Sequence, residues 1–183
     1  MEIIERFFTA HCMRKKIADN RDRMYRVALA WCGDSSVADD LVQETLMIAL
    51  QRTGQLRDQS RLNAWMHTIL CNCWKQHLRR MRPTIDIEEL DIACEKDAET
   101  GSSEQEIVEN VRRAILRLPG GQRQTITLVD LAGFSYAEVA EILDIPIGTV
   151  MSRLYTSRNS LQNFLTKFRT KQPIETTYLR RVK

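Results

Sequence analysis

The sequence predicts an all-α protein of two small helical domains joined by an acidic flexible linker, the second domain containing a helix-turn-helix. Three observations predict it. Only 7 Gly and 4 Pro occur among 183 residues, and β-branched runs are short, so little interrupts helix formation. Apolar residues recur at three- and four-residue intervals over long stretches. Charge is segregated: residues 1–82 carry a net +5, residues 83–106 a net −8 and residues 107–183 a net +6. Two basic blocks around an acidic one point to a polyanionic partner, although a solvated surface shares that composition. The 43% apolar content is enough to bury a core.

Three main helices are expected in residues 1–82. In "RDRMYRVALAWCG", Met24, Val27, Ala28, Trp31 and Cys32 fall on one face and Gly33 is the stop. In "SSVADDLVQETLMIALQRTG", Ser35 or Ser36 is the expected cap, acids occupy the early turns and Gly54 closes the helix. Asp40, Gln43, Glu44 and Met47 form a polar stripe there, while Leu41, Val42, Thr45, Ile48 and Ala49 turn toward a core. "SRLNAWMHTILCNCWKQHLRRM" starts near Ser60 and ends strongly basic, with Trp65 read as core and Trp74 as the exposed aromatic. Pro83 stops it, and acids followed by Gly101-Ser102-Ser103 mark the linker, residues 83–106.

In residues 107–183, Ile107, Val111, Ala114, Ile115 and Leu118 make an amphipathic stripe that Pro119-Gly120-Gly121 ends. "QRQTITLVDLAG" is a short helix. In "FSYAEVAEILDIPIGTVMSRLY", Ser135 and Glu138 fit a capping box for a helix bearing Val139, Ala140, Ile142 and Leu143. Asp144-Ile145 turns the chain, and Pro146 suits the first turn of a new helix. That helix sets Ile147, Val150, Leu154, Ser157 and Leu161 on one face. Two short helices sharing a seam across a tight turn form a helix-turn-helix, whose second helix can enter a DNA major groove. Thr149, Met151, Ser152, Arg153, Tyr155 and Thr156 are then on its free face, although an ordinary α-hairpin corner shares the pattern.

Other functions find little support. No phosphate-binding Gly-rich loop, H-E-x-x-H or G-x-S-x-G occurs, so neither enzymatic activity nor a cofactor is expected. His67, Cys71, Cys73 and His77 suggest metal ligands, but helical geometry puts the first two opposite the last two, so no metal site is expected. The five cysteines, Cys12, Cys32, Cys71, Cys73 and Cys94, lack a disulfide-scaffold spacing, and the first residues lack the order of a secretory signal. Reduced thiols in the cytoplasm are the expectation. No window approaches the roughly 18 apolar residues of a membrane span, so no membrane insertion is expected. A stand-alone helix-turn-helix regulator and a pure interaction protein remain the alternatives.

"LPGGQRQTITLVDLAGFSYAEVAEILDIPIGTVMSRL" resembles region 4, the promoter −35 binding domain, of bacterial sigma factors of the extracytoplasmic-function (ECF) group. "LAWCGDSSVADDLVQETLMIAL" resembles their region 2, and "NAWMHTILCNCWKQHLRR" its −10 reading helix. The resemblance covers about residues 21–82 and 107–165, in the family order. It implies a non-enzymatic initiation factor that binds core RNA polymerase and promoter DNA, helps open the duplex, and has an anti-sigma factor as regulator. Asp39, Asp40, Leu41, Gln43 and Glu44 match the polymerase-docking motif. Asn72 matches a DNA-facing Asn, with Lys75, Arg79 and Arg80 as phosphate contacts and Arg57 and Arg61 as candidates in the preceding loop. For the −35 element the resemblance implies Thr149, Met151, Ser152, Arg153, Tyr155, Thr156 and Arg158. Relatives often carry a cation at the positions of Met151 and Thr156. The acidic linker corresponds to one that threads into the polymerase, and the basic tail "TKFRTKQPIETTYLRRVK" offers further backbone contacts.

Overall fold

The computed structural model describes residues 13–56, 58–81 and 103–169. Within them run α1 (residues 13–19), α2 (Arg21–Cys32), α3 (Ser35–Gln51), two 3-10 turns (Thr53–Gln55 and Gln59–Arg61), α4 (Leu62–Met81), α5 (Ser103–Leu116), α6 (Gly120–Ile126), a π-helical turn (Thr127–Leu131), α7 (Tyr136–Leu143) and α8 (Ile147–Arg169). The described residues are helices and turns throughout, in two helical halves. Arg57, the acidic stretch 83–102 and the tail from residue 170 lie outside the described residues.

Some of the expected caps decide helix ends and others do not. Gly54, expected to close α3, lies inside the 3-10 turn Thr53–Gln55, and α3 ends at Gln51 with Arg52 as its cap. Gly33 stops α2 in the left-handed region at φ 71°, its N–H bonded to the Leu29 carbonyl. A side chain there would meet strain twice, because a Cβ would lie 2.9 Å from Leu116 Cδ1. At α3 the cap is Asp34 rather than Ser35 or Ser36: its Oδ1 accepts from the N–H groups of Ser36 at 2.8 Å and Val37 at 3.0 Å. A carboxylate one residue earlier adds charge to the same geometry, so it outcompetes the hydroxyls. Gly120 and Gly121 open α6 rather than forming a loop, with Arg123 N–H bonded to the Pro119 carbonyl. At α7 the capping box forms: Ser135 Oγ accepts from Glu138 N–H at 3.3 Å, and the Glu138 carboxylate accepts from Ser135 N–H at 2.8 Å. Asp144 then turns the chain at φ 57°, and the Pro146 carbonyl accepts the first bonds of α8, from Thr149 and Val150.

The first half packs α1 to α4 around Ile17, Met24, Val27, Trp31, Val42, Met66 and Leu70. The second packs α5 to α8 around Leu118, Leu128, Val139, Ile142, Val150 and Leu154. The halves join in one continuous core, with α2 against α5 and α6, and α4 against α7. Polar contacts, buried or part-buried, also tie the junction. Arg123, 2% exposed, donates to the carbonyls of Trp31, Leu116 and Leu118. Trp31 Nε1 donates to Thr127 Oγ1 at 2.7 Å, and Arg23 Nη2 donates to the Ala132 carbonyl at 2.5 Å. His67 is fully buried, its ring edge-on to Phe134 at 4.7 Å between centroids.

Three side chains lie where periodicity did not put them. One is Ile107, which heads the expected stripe of α5 yet is 59% exposed, because the buried part of that stripe runs from Ala114 to Leu118. Trp74, expected exposed, is 4% exposed and stacks on His77, because Leu70, Trp74 and Leu78 make one core-facing row of α4. Ile147, expected in the α8 seam, is 50% exposed: it precedes the turn at which Val150 first meets α7, so the seam begins one step later, at Val150, Leu154 and Ser157.

Candidate nucleic-acid interface

Three exposed surfaces carry the expected site residues. On α3, Asp40, Gln43 and Met47 are exposed and Glu44 is half-buried beside them. Asp39 is tied to α2 through Arg21 Nη2, 2.8 Å from its Oδ1. Leu41 belongs underneath, at 2% exposure, and holds this face onto the core. The arrangement is an acidic, hydrogen-bonding patch on a rigid helix.

The second surface is α4 with the loop before it. Asp58 starts it: its Oδ1 accepts from Ser60 N–H at 2.9 Å and Oγ–H at 2.7 Å, and these bonds hold the Asp58 carboxyl below the usual range. Arg61 forms an ion pair with Glu141 of α7 and, with Trp65 and Thr68, lines a cleft of about 410 Å³ between the halves. Asn72, Arg79 and Arg80 are exposed, and Lys75 is half-buried. This presents an amide and three cations along the C-terminal half of one helix, where cations also suit the helix dipole.

The third surface is the free face of α8, with Met151, Ser152, Tyr155 and Thr156 exposed and Thr149 half-buried. Ser152 Oγ donates to the Thr149 carbonyl and Thr156 Oγ1 to the Ser152 carbonyl, each at 3.0 Å, which leaves both hydroxyl oxygens able to accept. The two arginines of this stretch point elsewhere. Arg153 lies over Gly121, where a Cβ would be 2.8 Å from its Nη1, and it lines a cleft of about 200 Å³ with Lys75 and Arg79 of α4. Arg158 donates to Asp130 at 2.7 and 3.3 Å, and these bonds, with one to Tyr136, raise its pKa further. Thus the structure brings Lys75, Arg79 and Arg153 to one cleft, while Asn72 and the outward face of α8 stay open.

The histidine and cysteines of α4 divide between neighbours. Cys71 accepts from Gln124 Nε2 at 3.8 Å, and burial pushes its thiol up to about 11. Cys73 instead meets Thr45 of α3, and burial raises its pKa too. Thiols held protonated in this way are poor nucleophiles. Groups of three or more His, Cys, Asp or Glu able to hold a metal are absent among the described residues, and none of their helices is long and apolar enough to cross a membrane. Sequence reading missed Arg123, Asp130 and Glu141. Nothing local marks them, because their partners lie in distant helices.

Known proteins match this arrangement in the same order along the chain. The family model of Sigma-70 region 2 matches residues 17–84 and that of Sigma-70, region 4 matches residues 108–161. The chain is 34% identical over 138 residues to the ECF RNA polymerase sigma factor EcfG of Rhodopseudomonas palustris, covering 75% of this chain and 76% of the relative. It is 31% identical over 145 residues to the ECF RNA polymerase sigma factor SigM of Mycobacterium tuberculosis, covering 78% and 71%. Among solved structures, it is similar to the sigma factor RpoE in complex with the anti-sigma factor NepR from Bartonella quintana, with TM-score 0.67, 29% identity and coverage of 83% of this chain and 95% of that one. It also shares the fold of CnrH in complex with the cytosolic domain of CnrY, with TM-score 0.62, 22% identity and coverage of 84% and 86%.

Proposed function

Because the chain belongs to the ECF sigma factors of the sigma-70 family, we propose that it binds core RNA polymerase, directs it to promoters with its own −10 and −35 elements, and promotes opening of the duplex there. The observation that carries this reading is the pairing, on one chain and in the family order, of an acidic helix face on α3 with an exposed amide-and-cation face on α4 and an exposed hydroxyl-bearing face on α8. Asp40, Gln43 and Glu44 supply the polymerase contact. Asn72 supplies base recognition at −10, with Arg79 and Arg80 holding phosphates, because opened DNA must be held as single strand by amides and cations. The free face of α8 reads the −35 element as duplex, by the geometry of helix-turn-helix docking.

The likeness to RpoE captured with NepR supports an anti-sigma factor as the regulator. A partner that holds the halves together would keep Lys75, Arg79 and Arg153 facing one another across their cleft, away from DNA.

Run-off transcription with purified core polymerase tests the reading. The chain added to core should produce discrete transcripts from a subset of genomic fragments, and Asp40→Arg with Glu44→Arg should abolish them. A chain that footprints duplex DNA without core, and gives no core-dependent transcript, is a stand-alone regulator instead.

A further inference from the structure

We propose that the −35 reader of this chain selects A·T pairs by gripping thymine methyl groups with Ile147, Met151 and Tyr155; the proposal rests on the assignment of α8 as the −35 reader. These three side chains stand at i, i+4 and i+8 of α8, so they form one continuous ridge, and they are 50%, 54% and 72% exposed. The ridge lies beside the buried seam of Val150, Leu154 and Ser157, along one margin of the outward face. Large apolar side chains in a row at a helix surface need a partner that removes them from water.

The chemistry of the rest of the face says which partner. Only thymine presents an apolar group, its C5 methyl, to the major groove. Guanine presents two acceptors there, N7 and O6, and is read mainly by Arg or Lys. Between residues 147 and 158 the cations are Arg153 and Arg158 alone. Arg153 is turned onto Gly121, away from the ridge, and Arg158 is held by Asp130 through two hydrogen bonds. The hydroxyls of Ser152 and Thr156 spend their protons on α8 carbonyls and so offer oxygens that accept. The face therefore presents methyl-sized apolar contacts and acceptors, but few free donors. An A·T pair matches both, with the thymine methyl for the ridge and the adenine N6 amine as a donor to a hydroxyl oxygen. A G·C pair offers a donor as well, cytosine N4, and as many acceptors as an A·T pair, but it has no methyl for the ridge, so the ridge carries the discrimination.

The experiment uses the full chain bound to core polymerase and a duplex whose upstream contact has been located by footprinting. Each thymine in that segment is replaced in turn by deoxyuridine, which removes only the C5 methyl and keeps base pairing. At two or more positions affinity should fall about fourfold, the value of one buried methyl group. That loss should shrink toward none in Met151→Ala, Tyr155→Ala or Ile147→Ala at the matching positions. Met151→Arg should raise the tolerance for G·C pairs. An upstream footprint with no deoxyuridine effect at any position overturns the inference alone, and would leave the ridge to a protein partner. Penalties that persist undiminished in all three alanine variants overturn it equally. Absence of any core-dependent upstream footprint overturns the −35 assignment and this inference with it.

Discussion

Arg123 and Trp31 are joined across the two halves of the chain, the guanidinium Nη1 donating to the Trp31 carbonyl at 2.7 Å. The same tryptophan donates from its indole to Thr127 Oγ1, one turn further along from Arg123, and Thr127 Oγ1 in turn donates to the Arg123 carbonyl at 2.8 Å. A residue of α2 is thus clasped at backbone and side chain by a single stretch of the second half. Arg123→Met should strand three buried carbonyls and destabilise the chain by about 3 kcal/mol, and Trp31→Phe, which loses one bond and leaves a cavity where the fully buried indole sat, should cost about 2 kcal/mol. Urea unfolding of the full chain measures both. Combining Trp31→Phe with Thr127→Val should cost less than the sum of the single changes.

His67 makes the junction sensitive to acid. Its Nδ1–H donates to the Asn63 carbonyl at 2.8 Å, while Nε2 is buried without a partner in the structure. Burial, aided by the nearby Arg23 charge, lowers its pKa to about 4 despite that hydrogen bond. The native state therefore binds fewer protons than the unfolded one between about pH 4 and 6.5, so stability is full above pH 6.5 and falls as pH drops toward 4. The loss should reach roughly 2 kcal/mol by pH 5. His67→Leu should flatten this part of the profile, as followed by urea midpoints from pH 7 to 5.

Charge reversal on α3 should separate partner binding from folding. Asp40 is exposed and Glu44 half-buried, so Asp40→Arg with Glu44→Arg should shift stability by no more than about 0.5 kcal/mol each. Affinity for core polymerase should fall at least tenfold in a competition assay. Unchanged affinity would remove the α3 face from the interface.

At the −10 element, Asn72→Ala should impair opening while sparing upstream contacts. Permanganate reactivity of thymines in the opened segment should drop on the preferred sequence, and discrimination among −10 variants should narrow. Upstream footprints should stay as they were, because α8 lies on a separate face.

Local chemistry was legible in the sequence, and long-range chemistry was not. The break between α7 and α8 could be read because Ser135, Glu138, Asp144 and Pro146 each act within a few residues of themselves. The same locality explains the Gly33 stop and the core face of α2. As a cap, Asp34 is masked by the serines that directly follow it. Trp74 escapes periodicity, which gives an angle around an axis but not which side another helix will cover. The junction between the halves escaped entirely: Arg123, Trp31 and His67 are ordinary members of their own helices, and only folding reveals that they face one another. At the candidate site, the free face of α8 was read residue by residue, but the diversion of Arg153 and Arg158 depends on Gly121 and Asp130, which no spacing connects to them.

The shared cleft of Lys75, Arg79 and Arg153 has a consequence for competition. A compact chain of this size is roughly 40 Å across, whereas promoter elements centred about 25 base pairs apart are separated by roughly 85 Å of duplex. On the proposed promoter reading, one molecule cannot straddle both elements until its halves part. Whatever holds them together is then subtracted from the apparent affinity for polymerase: a junction worth about 2.7 kcal/mol leaves one molecule in about a hundred ready to bind and weakens apparent affinity by the same factor. Side chains that touch neither polymerase nor DNA, Trp31 and Arg123 among them, would thereby set how well this factor contends with others for a limited supply of polymerase, and loosening the clasp would raise its share of transcription without altering a single promoter contact.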